Sequence, residues 1–308
     1  MDDSEINDLV DGISRGSRRE LARAITVVEE DESVADVLLA RLPETTSAFR
    51  LGLTGAPGVG KSSLIAKLVP RLIENGERVA VLAIDPSSPI TGGALLGDRA
   101  RIDADLGDES WFRSMASRGA TSGVAGCTDL AAEILARAGF GLILIETVGV
   151  GQLEVEITDE TDQAWLLLSP ESGDGIQLLK AGVLEVVGRV LVNKCDRPGA
   201  DELLRRAEEM AHDQNGLEPM AVSSLQGDGI DEIVAVILES ARKHRESPDL
   251  GAVRSRLVRR IRRRAEQEWI RQGLDLAGGS KAIEQLADRV SRQEISIQQA
   301  IKSIVSAG

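Results

Sequence analysis

The stretch Gly55-Ala-Pro-Gly-Val-Gly60-Lys61-Ser62 constrains this chain more than any other. The run before it, Phe49 to Thr54, alternates and is apolar enough for a strand, and Ser63 to Val69 after it has helical spacing. Strand, glycine-rich turn, Lys-Ser and helix in that order form a phosphate-binding loop. The glycines let backbone N–H groups curl round phosphate oxygens, and the helix N-terminus adds partial positive charge. Gly55, Ala56, Pro57, Gly58, Val59 and Gly60 are therefore assigned to the cradle, with Ser63 in the first helical turn. Lys61 can reach the outer phosphates, and the Ser62 hydroxyl can coordinate Mg²⁺. The expected ligand is a nucleoside triphosphate.

The 308 residues suffice for one large α/β domain with helical additions, or for two domains. No apolar run approaches the length of a membrane span, and Met1-Asp-Asp-Ser-Glu-Ile is not a signal sequence, so a cytoplasmic location is expected. Cys127 and Cys195 form no C-x-x-C pair, which indicates neither a disulfide framework nor a zinc ribbon. Both are expected as small buried residues. A net charge of −14 argues against nucleic acid as a main partner, because phosphate backbones need Lys and Arg. Tyrosine is absent, and only seven of the 36 basic residues are Lys. Such composition resembles proteins of salt-loving organisms, while a GC-rich genome gives the same shortage of Lys. Activity that needs molar KCl would separate the two.

Along the chain, residues 5 to 42 read as two or three helices, with Leu21, Ala22, Ile25 and Val28 at helical spacing. Arg78 to Ile84 is a continuous apolar run, which suits a parallel strand buried on both faces. Asp85 follows at its C-terminal end, the end that faces the ligand crevice in such sheets. Pro86 to Gly123, rich in Gly, Ser, Asp and Arg, is expected as one long functional loop. A helix near Thr128 to Ala138 leads to the strand Gly141 to Ile145 and then to Glu146-Thr-Val-Gly149-Val-Gly151-Gln152. An acid at a strand end with glycine three residues on is the second nucleotide motif. Its carboxylate holds Mg²⁺ directly or through water, and the Gly149 N–H contacts the γ-phosphate. Most such motifs use Asp, so Glu146 departs by one methylene.

Gln163 to Leu168 is the next strand, followed by a helix from about Ile176 to Leu184. Arg189 to Val192 is a strand that delivers Asn193-Lys194-Cys195-Asp196, and N-K-x-D at a strand end reads guanine. The Asp196 carboxylate can accept from guanine N1–H and N2–H₂, a donor pair that adenine lacks. A buried acceptor left unpaired costs about 1–3 kcal/mol, which gives the preference. Helices at Ala200–His212 and Gly229–Lys243 flank a short strand, and Val222, Ser223 and Ser224 fall where a base-backing loop would lie. From Leu250 no strand remains. Arg254 to Arg264 is basic, but interleaved Leu257, Val258 and Ile261 read as an amphipathic helix for dimer formation or partner docking rather than RNA binding. Further helices follow near Ser280–Val290 and Ile295–Ser306.

Asp85-Pro-Ser-Ser-Pro89, Thr91-Gly-Gly-Ala-Leu-Leu-Gly-Asp98-Arg99, Arg113-Ser-Met-Ala-Ser-Arg-Gly119 and Glu146-Thr-Val-Gly-Val-Gly-Gln152 closely resemble one family. It is the methylmalonyl-CoA mutase-associated GTPases, formerly described as arginine/ornithine transport kinases and grouped with metallochaperone GTPases. The resemblance covers nearly the whole chain. It implies a GTP-hydrolysing chaperone that gates cofactor loading and protection or reactivation of an adenosylcobalamin-dependent acyl-CoA mutase. By resemblance, Asp85, Asp98 and Glu146 surround Mg²⁺ and its waters, and Asn193, Lys194 and Asp196 read the base. It also implies three switches, at Asp98–Arg118, Glu146–Glu156 and Pro170–Gly182. One departure lies in the third, where a Gly-Ala-Gly-Asp-Glu-Leu-Gln-like string is replaced by Glu171-Ser-Gly-Asp174-Gly-Ile-Gln177, with Asp174, Gln177 and Lys180 in place.

The expected architecture is an α/β P-loop NTPase fold, a mostly parallel sheet with helices on both faces. Residues 1–45 form an N-terminal helical extension, 46–246 the GTPase domain, and 247–308 a helical arm that makes a homodimer plausible. Lys61, Asp98, Glu146 and Gln152 are the expected catalytic set, with Gln152 a candidate for orienting water. Arg99, Arg101 and Arg118 are candidate charge stabilisers, and His212 and His244 are expected on solvated helix faces. No strong general base is visible, so slow intrinsic turnover is expected. Alternative readings are a metal-inserting maturation GTPase, for which no Cys/His loading site is evident, a small-molecule kinase, and a nucleotide sensor with incidental hydrolysis.

Overall fold

The computed structural model describes residues 1–44, 48–85, 107–116, 125–147, 157–158, 160–172, 183–212, 218–276 and 278–305. Its centre is a seven-stranded sheet of order β3-β2-β4-β1-β5-β6-β7. The strands are β1 (Phe49–Thr54), β2 (Val79–Asp85), β3 (Ser110–Ala116), β4 (Leu142–Thr147), β5 (Gln163–Leu168), β6 (Arg189–Asn193) and β7 (Met220–Val222). Every recorded pairing is parallel. All of β1 and β4 is buried, as expected of parallel strands covered on both faces. Helix α4 (Lys61–Glu74) and helix α7 (Ile230–Glu246) cover one face with Leu64, Leu68, Ile233 and Ile237. The other face packs against α1 (Asp3–Ser14), α2 (Arg18–Glu30), α3 (Ser33–Arg41), α5 (Ala125–Arg137) and α6 (Ala200–His212).

Strand order reverses around β1: β4, β2 and β3 lie to one side, β5, β6 and β7 to the other. In open α/β sheets ligands bind beyond the carboxyl ends of the strands at such a switch point. The tips of β1, β4 and β6 are where Gly55, Glu146 and Asn193 stand.

A charge inside β1 holds this centre in place. Arg50 is buried, and its Nη1 donates to Asp129 Oδ1 at 2.6 Å and its Nη2 to Glu133 Oε2 at 2.9 Å, both on α5. The Arg50 backbone N–H donates to Asp162 Oδ2 at 2.8 Å. Burial works against the guanidinium charge, but Asp129, Glu133 and Asp162 outweigh it and raise the pKa. The strand that feeds the phosphate loop is thereby tied to α5 and to the start of β5.

Three expectations change. The long loop Pro86–Gly123 contains β3, paired along its length with β2. Its inward positions read Trp111, Arg113, Met115, and the central charge hides the alternation. The Arg113 guanidinium is held by α2, its Nη1 donating to Ala22 O at 3.2 Å and its Nη2 to Thr26 Oγ1 at 3.0 Å and the Glu29 carboxylate, while its buried Nε is left without a hydrogen-bond partner. His244 is buried rather than solvated, because it continues the inward stripe Ile233, Ile237, Ala241 of α7 and packs 5.7 Å from the Phe49 ring. Cys127 and Cys195 are half-buried rather than buried. The expected helix Ile176–Leu184 lies outside the described residues except for its last two, Val183 and Leu184, which belong to a 3₁₀ turn, Val183–Glu185.

The chain divides into two units, Met1–Asp249 and Leu250–Gly308. In the second, α8 (Leu250–Leu276), α9 (Ser280–Ser291) and α10 (Ile297–Val305) follow one another, and α10 packs against both others. Leu250, Ile261, Trp269, Ile270, Ile297 and Ile301 of this unit are exposed.

Candidate nucleotide site

The phosphate loop runs from the tip of β1 into α4. Gly60 is the N-cap of α4 with φ 99°, and it offers no side chain to cap the first-turn N–H groups. That end of the helix is an anion site by its backbone. A Cβ at Gly60 would collide with Asn193 Nδ2, and one at Gly55 with the Leu167 carbonyl, so both glycines are set by close approach as well as by dihedral. Pro57 and Gly58 form the exposed crest, Ala56 and Val59 are buried beneath it, and Ser63 is exposed on α4.

Lys61 is buried, and its Nζ donates to the carbonyls of Gly55 at 2.5 Å and Ala56 at 3.1 Å. The ammonium is therefore held over the cradle by the loop's own backbone. Ser62 Oγ donates to Glu146 Oε1 at 2.7 Å, joining the helix start to the tip of β4. One residue on, Thr147 Oγ1 donates to Thr54 Oγ1 at 3.3 Å in a buried contact between β4 and β1. A hydroxyl and a carboxylate side by side at a helix N-terminus are hard oxygen donors of the kind Mg²⁺ takes. Ser62 and Glu146 would hold that ion, which together with the Lys61 ammonium would neutralise negative charge at the β/γ bridge. Among the described residues no group of three or more His, Cys, Asp or Glu forms a metal cluster.

The base end is built on β6 and β7. Asn193 is buried; its Nδ2 donates to Val59 O at 2.7 Å, and its Oδ1 accepts from Ser224 N at 3.1 Å and Ser224 Oγ at 2.9 Å. It is a strut between the phosphate loop and the loop after β7. Val222 is buried and accepts the Cys195 N–H at 3.0 Å. Ser223 Oγ donates to Asp196 Oδ1 at 2.5 Å, a bond that holds the Asp196 carboxyl below the usual range. Asp196 therefore stands ionised at neutral pH, an acceptor as guanine recognition needs. The Cys195 thiol is pushed up by burial and by Asp228 and Asp196, which makes it a poor nucleophile.

The structure thus gathers Gly55 to Ser62, Glu146, Asn193, Lys194, Asp196, Val222, Ser223 and Ser224 at neighbouring strand tips. Asp98, Gly149, Gln152, Arg99, Arg101, Arg118, Asp174, Gln177 and Lys180 lie outside the described residues, and only the backbone of Asp85 is described, at the end of β2. Sequence reasoning missed Arg50, although a lone charge in a central apolar strand was the available signal. It also missed the Glu171–Lys194 pair, whose members are 23 residues apart and meet only in the fold.

Sheet order, the phosphate-loop sequence running into α4 and the N-K-x-D run at the tip of β6 are those of a P-loop GTPase. A family model described as methylmalonyl-CoA mutase-associated GTPase MeaB matches residues 21–276, and the chain belongs to that family. A protein of Pyrococcus horikoshii carrying a GTPase name is 40% identical over 259 residues, 81% of this chain and 82% of its own. A GTPase-named protein of Pyrococcus abyssi is 37% identical across 98% of each chain. The mouse methylmalonic aciduria type A homolog, mitochondrial, is 34% identical over 81% of this chain and 66% of its own. The solved structure of an LAO/AO transport system kinase matches at a TM-score of 0.68 and 24% identity, over 99% of this chain and 98% of that one, a likeness of fold.

Proposed function

We propose that this chain is a GTP-driven chaperone of an adenosylcobalamin-dependent acyl-CoA mutase, methylmalonyl-CoA mutase first among the candidates. It would gate cofactor loading and protect or reactivate the mutase. The observation that carries the reading is the convergence of the phosphate cradle, Ser62–Glu146 and Asp196 at three strand tips, in a chain of the mutase-associated family. The mouse relative's name, a methylmalonic aciduria homolog, supports the same direction.

In this reading the first-turn N–H groups of α4 and the Lys61 ammonium bind the β- and γ-phosphates. Ser62 and Glu146, with Asp85 and Asp98, form the Mg²⁺ side of the site. Gln152 orients the attacking water, and the Gly149 N–H contacts the γ-phosphate. Asp196 selects guanine, Ser223 holds Asp196 in its charged form, and Asn193 fixes the distance between the two ends. No described histidine or carboxylate stands ready as a strong general base at the γ end. Turnover by the isolated chain is therefore slow and rises when a partner orders the site. The exposed apolar residues of α8 to α10 serve a second copy of the chain.

A pull-down with a cobalamin mutase, with and without a non-hydrolysable GTP analogue, tests the reading. Retention that depends on the nucleotide state, together with GTP hydrolysis faster in the mixture than in the chain alone, is expected. Equal retention in every nucleotide state, with hydrolysis unchanged, would overturn it.

A further inference from the structure

We propose that Glu171 is a positioning residue for guanine-nucleotide binding, which tethers the Lys194 side chain at the rim of the base site before the nucleotide arrives. The inference rests on the base-site reading above and adds a residue that lies outside the N-K-x-D run.

Lys194 has φ 60°, one of two non-glycine residues with positive φ among the described residues. Its neighbours leave its backbone little freedom. Asn193 is bonded on both sides, and the Cys195 N–H is tied to Val222 O. What remains to be aimed is the side chain. Lys194 Nζ donates to Glu171 Oε2 at 2.6 Å. Glu171 stands in the turn after β5, closed by the Ser172 N–H donating to Ser169 O at 3.1 Å, and β5 is the ladder partner of β6. The tether thus runs from one strand tip to the next.

The charges around it alternate in a ring. Glu171 Oε1 lies 3.9 Å from Arg197 Nε, and Arg197 Nε lies 3.6 Å from Asp196 Oδ2. Lys194 and Asp196, two residues apart in the base-reading run, are therefore linked a second time through Glu171 and Arg197. The Lys194 hydrogen bond keeps Glu171 ionised below the usual carboxylate range. A lysine stem has many rotamers, and fixing it beforehand removes an ordering cost from binding. Among the described residues Glu171 is bonded to Lys194 and lies beside Arg197 rather than at the phosphate loop, so its effect belongs in affinity and not in the hydrolytic step.

The pair is half-exposed, so the effect is modest and sensitive to salt. In calorimetry with GDP and a non-hydrolysable GTP analogue at low ionic strength, Glu171→Ala and Glu171→Gln should weaken both ligands alike, by about two- to fivefold. Glu171→Asp should recover part of the loss. KM for GTP should rise by the same factor with kcat unchanged, and the melting temperature of the nucleotide-free protein should not move. In a Lys194→Ala background, Glu171→Ala should change nothing further. At molar KCl the difference from the wild type should vanish. Unchanged affinity in the alanine and glutamine variants at low salt would overturn the proposal. So would a loss that persists without Lys194, or one confined to kcat. If the wild type binds no guanine nucleotide, the base-site reading fails instead.

Discussion

At the phosphate end, Lys61 and Glu146 are only 6% and 7% exposed, and backbone carbonyls and one hydroxyl hold them. At the base end, the Asp196 and Lys194 side chains are 20% and 28% exposed, and their partners are other side chains. The first end is rigid backbone with buried charge, where a lost group is not replaced by water. The second is a surface network, where solvent compensates for much of what is removed. Substitutions at the phosphate end should therefore abolish function, while those at the base end should change preference.

Lys61→Ala is expected to have the largest effect. Loss of a charge aimed at the transferring phosphoryl group should lower kcat/KM for GTP about 100-fold or more, measured as phosphate release. A change below tenfold would place the phosphates elsewhere. Asp196→Asn should cost about 10- to 100-fold in GDP affinity and restore binding for xanthosine diphosphate, whose 2-oxo group accepts where guanine donates. Equal losses for both nucleotides would show that the base is read by other groups.

Asn193→Ala cuts the strut between the two ends. Ser224 and Val59 each lose a buried partner, and a loss of about 1–3 kcal/mol in unfolding free energy is expected. GDP and GTP affinities should fall together, which distinguishes this residue from one that acts at a single end.

The smallest effect is with pH. Asp196 has its folded pKa depressed below the ordinary 3.8, so its charged form persists as pH falls and is lost only below that value. The terminal phosphate of GDP itself titrates near pH 6, so the reading is the ratio of GDP affinities of the wild type and Asp196→Asn, which should be flat between about pH 8 and 5. A decline in that ratio between pH 6 and 5 would exclude this carboxylate as the reader of the base.

The parts visible in the sequence were those with local causes. Glycine spacing dictates the turn at Gly55–Gly60, continuous apolar runs mark β2 and β4, and the strand before Asn193 places the base loop. The hidden parts depend on partners far along the chain. β3 is not legible as a strand because Arg113 sits on its inward face, and the partners its Nη1 and Nη2 find are far along the chain on α2. The burial of His244 is equally hidden, because the inward stripe of α7 runs one turn further than its apolar residues. Arg50 in β1 acquires meaning only once Asp129 and Glu133 of α5 are laid beside it. The Glu171 tether is invisible in the same way, since β5 and β6 must pair before the two side chains can meet.

Calorimetry of the purified chain with GDP and ADP, at the salt concentration that keeps it folded, bears most directly on the convergence of three strand tips on one guanine nucleotide. One GDP per chain, with ADP bound at least about 10-fold more weakly, is the expected result. No heat with GDP, or equal affinity for ADP, would contradict it.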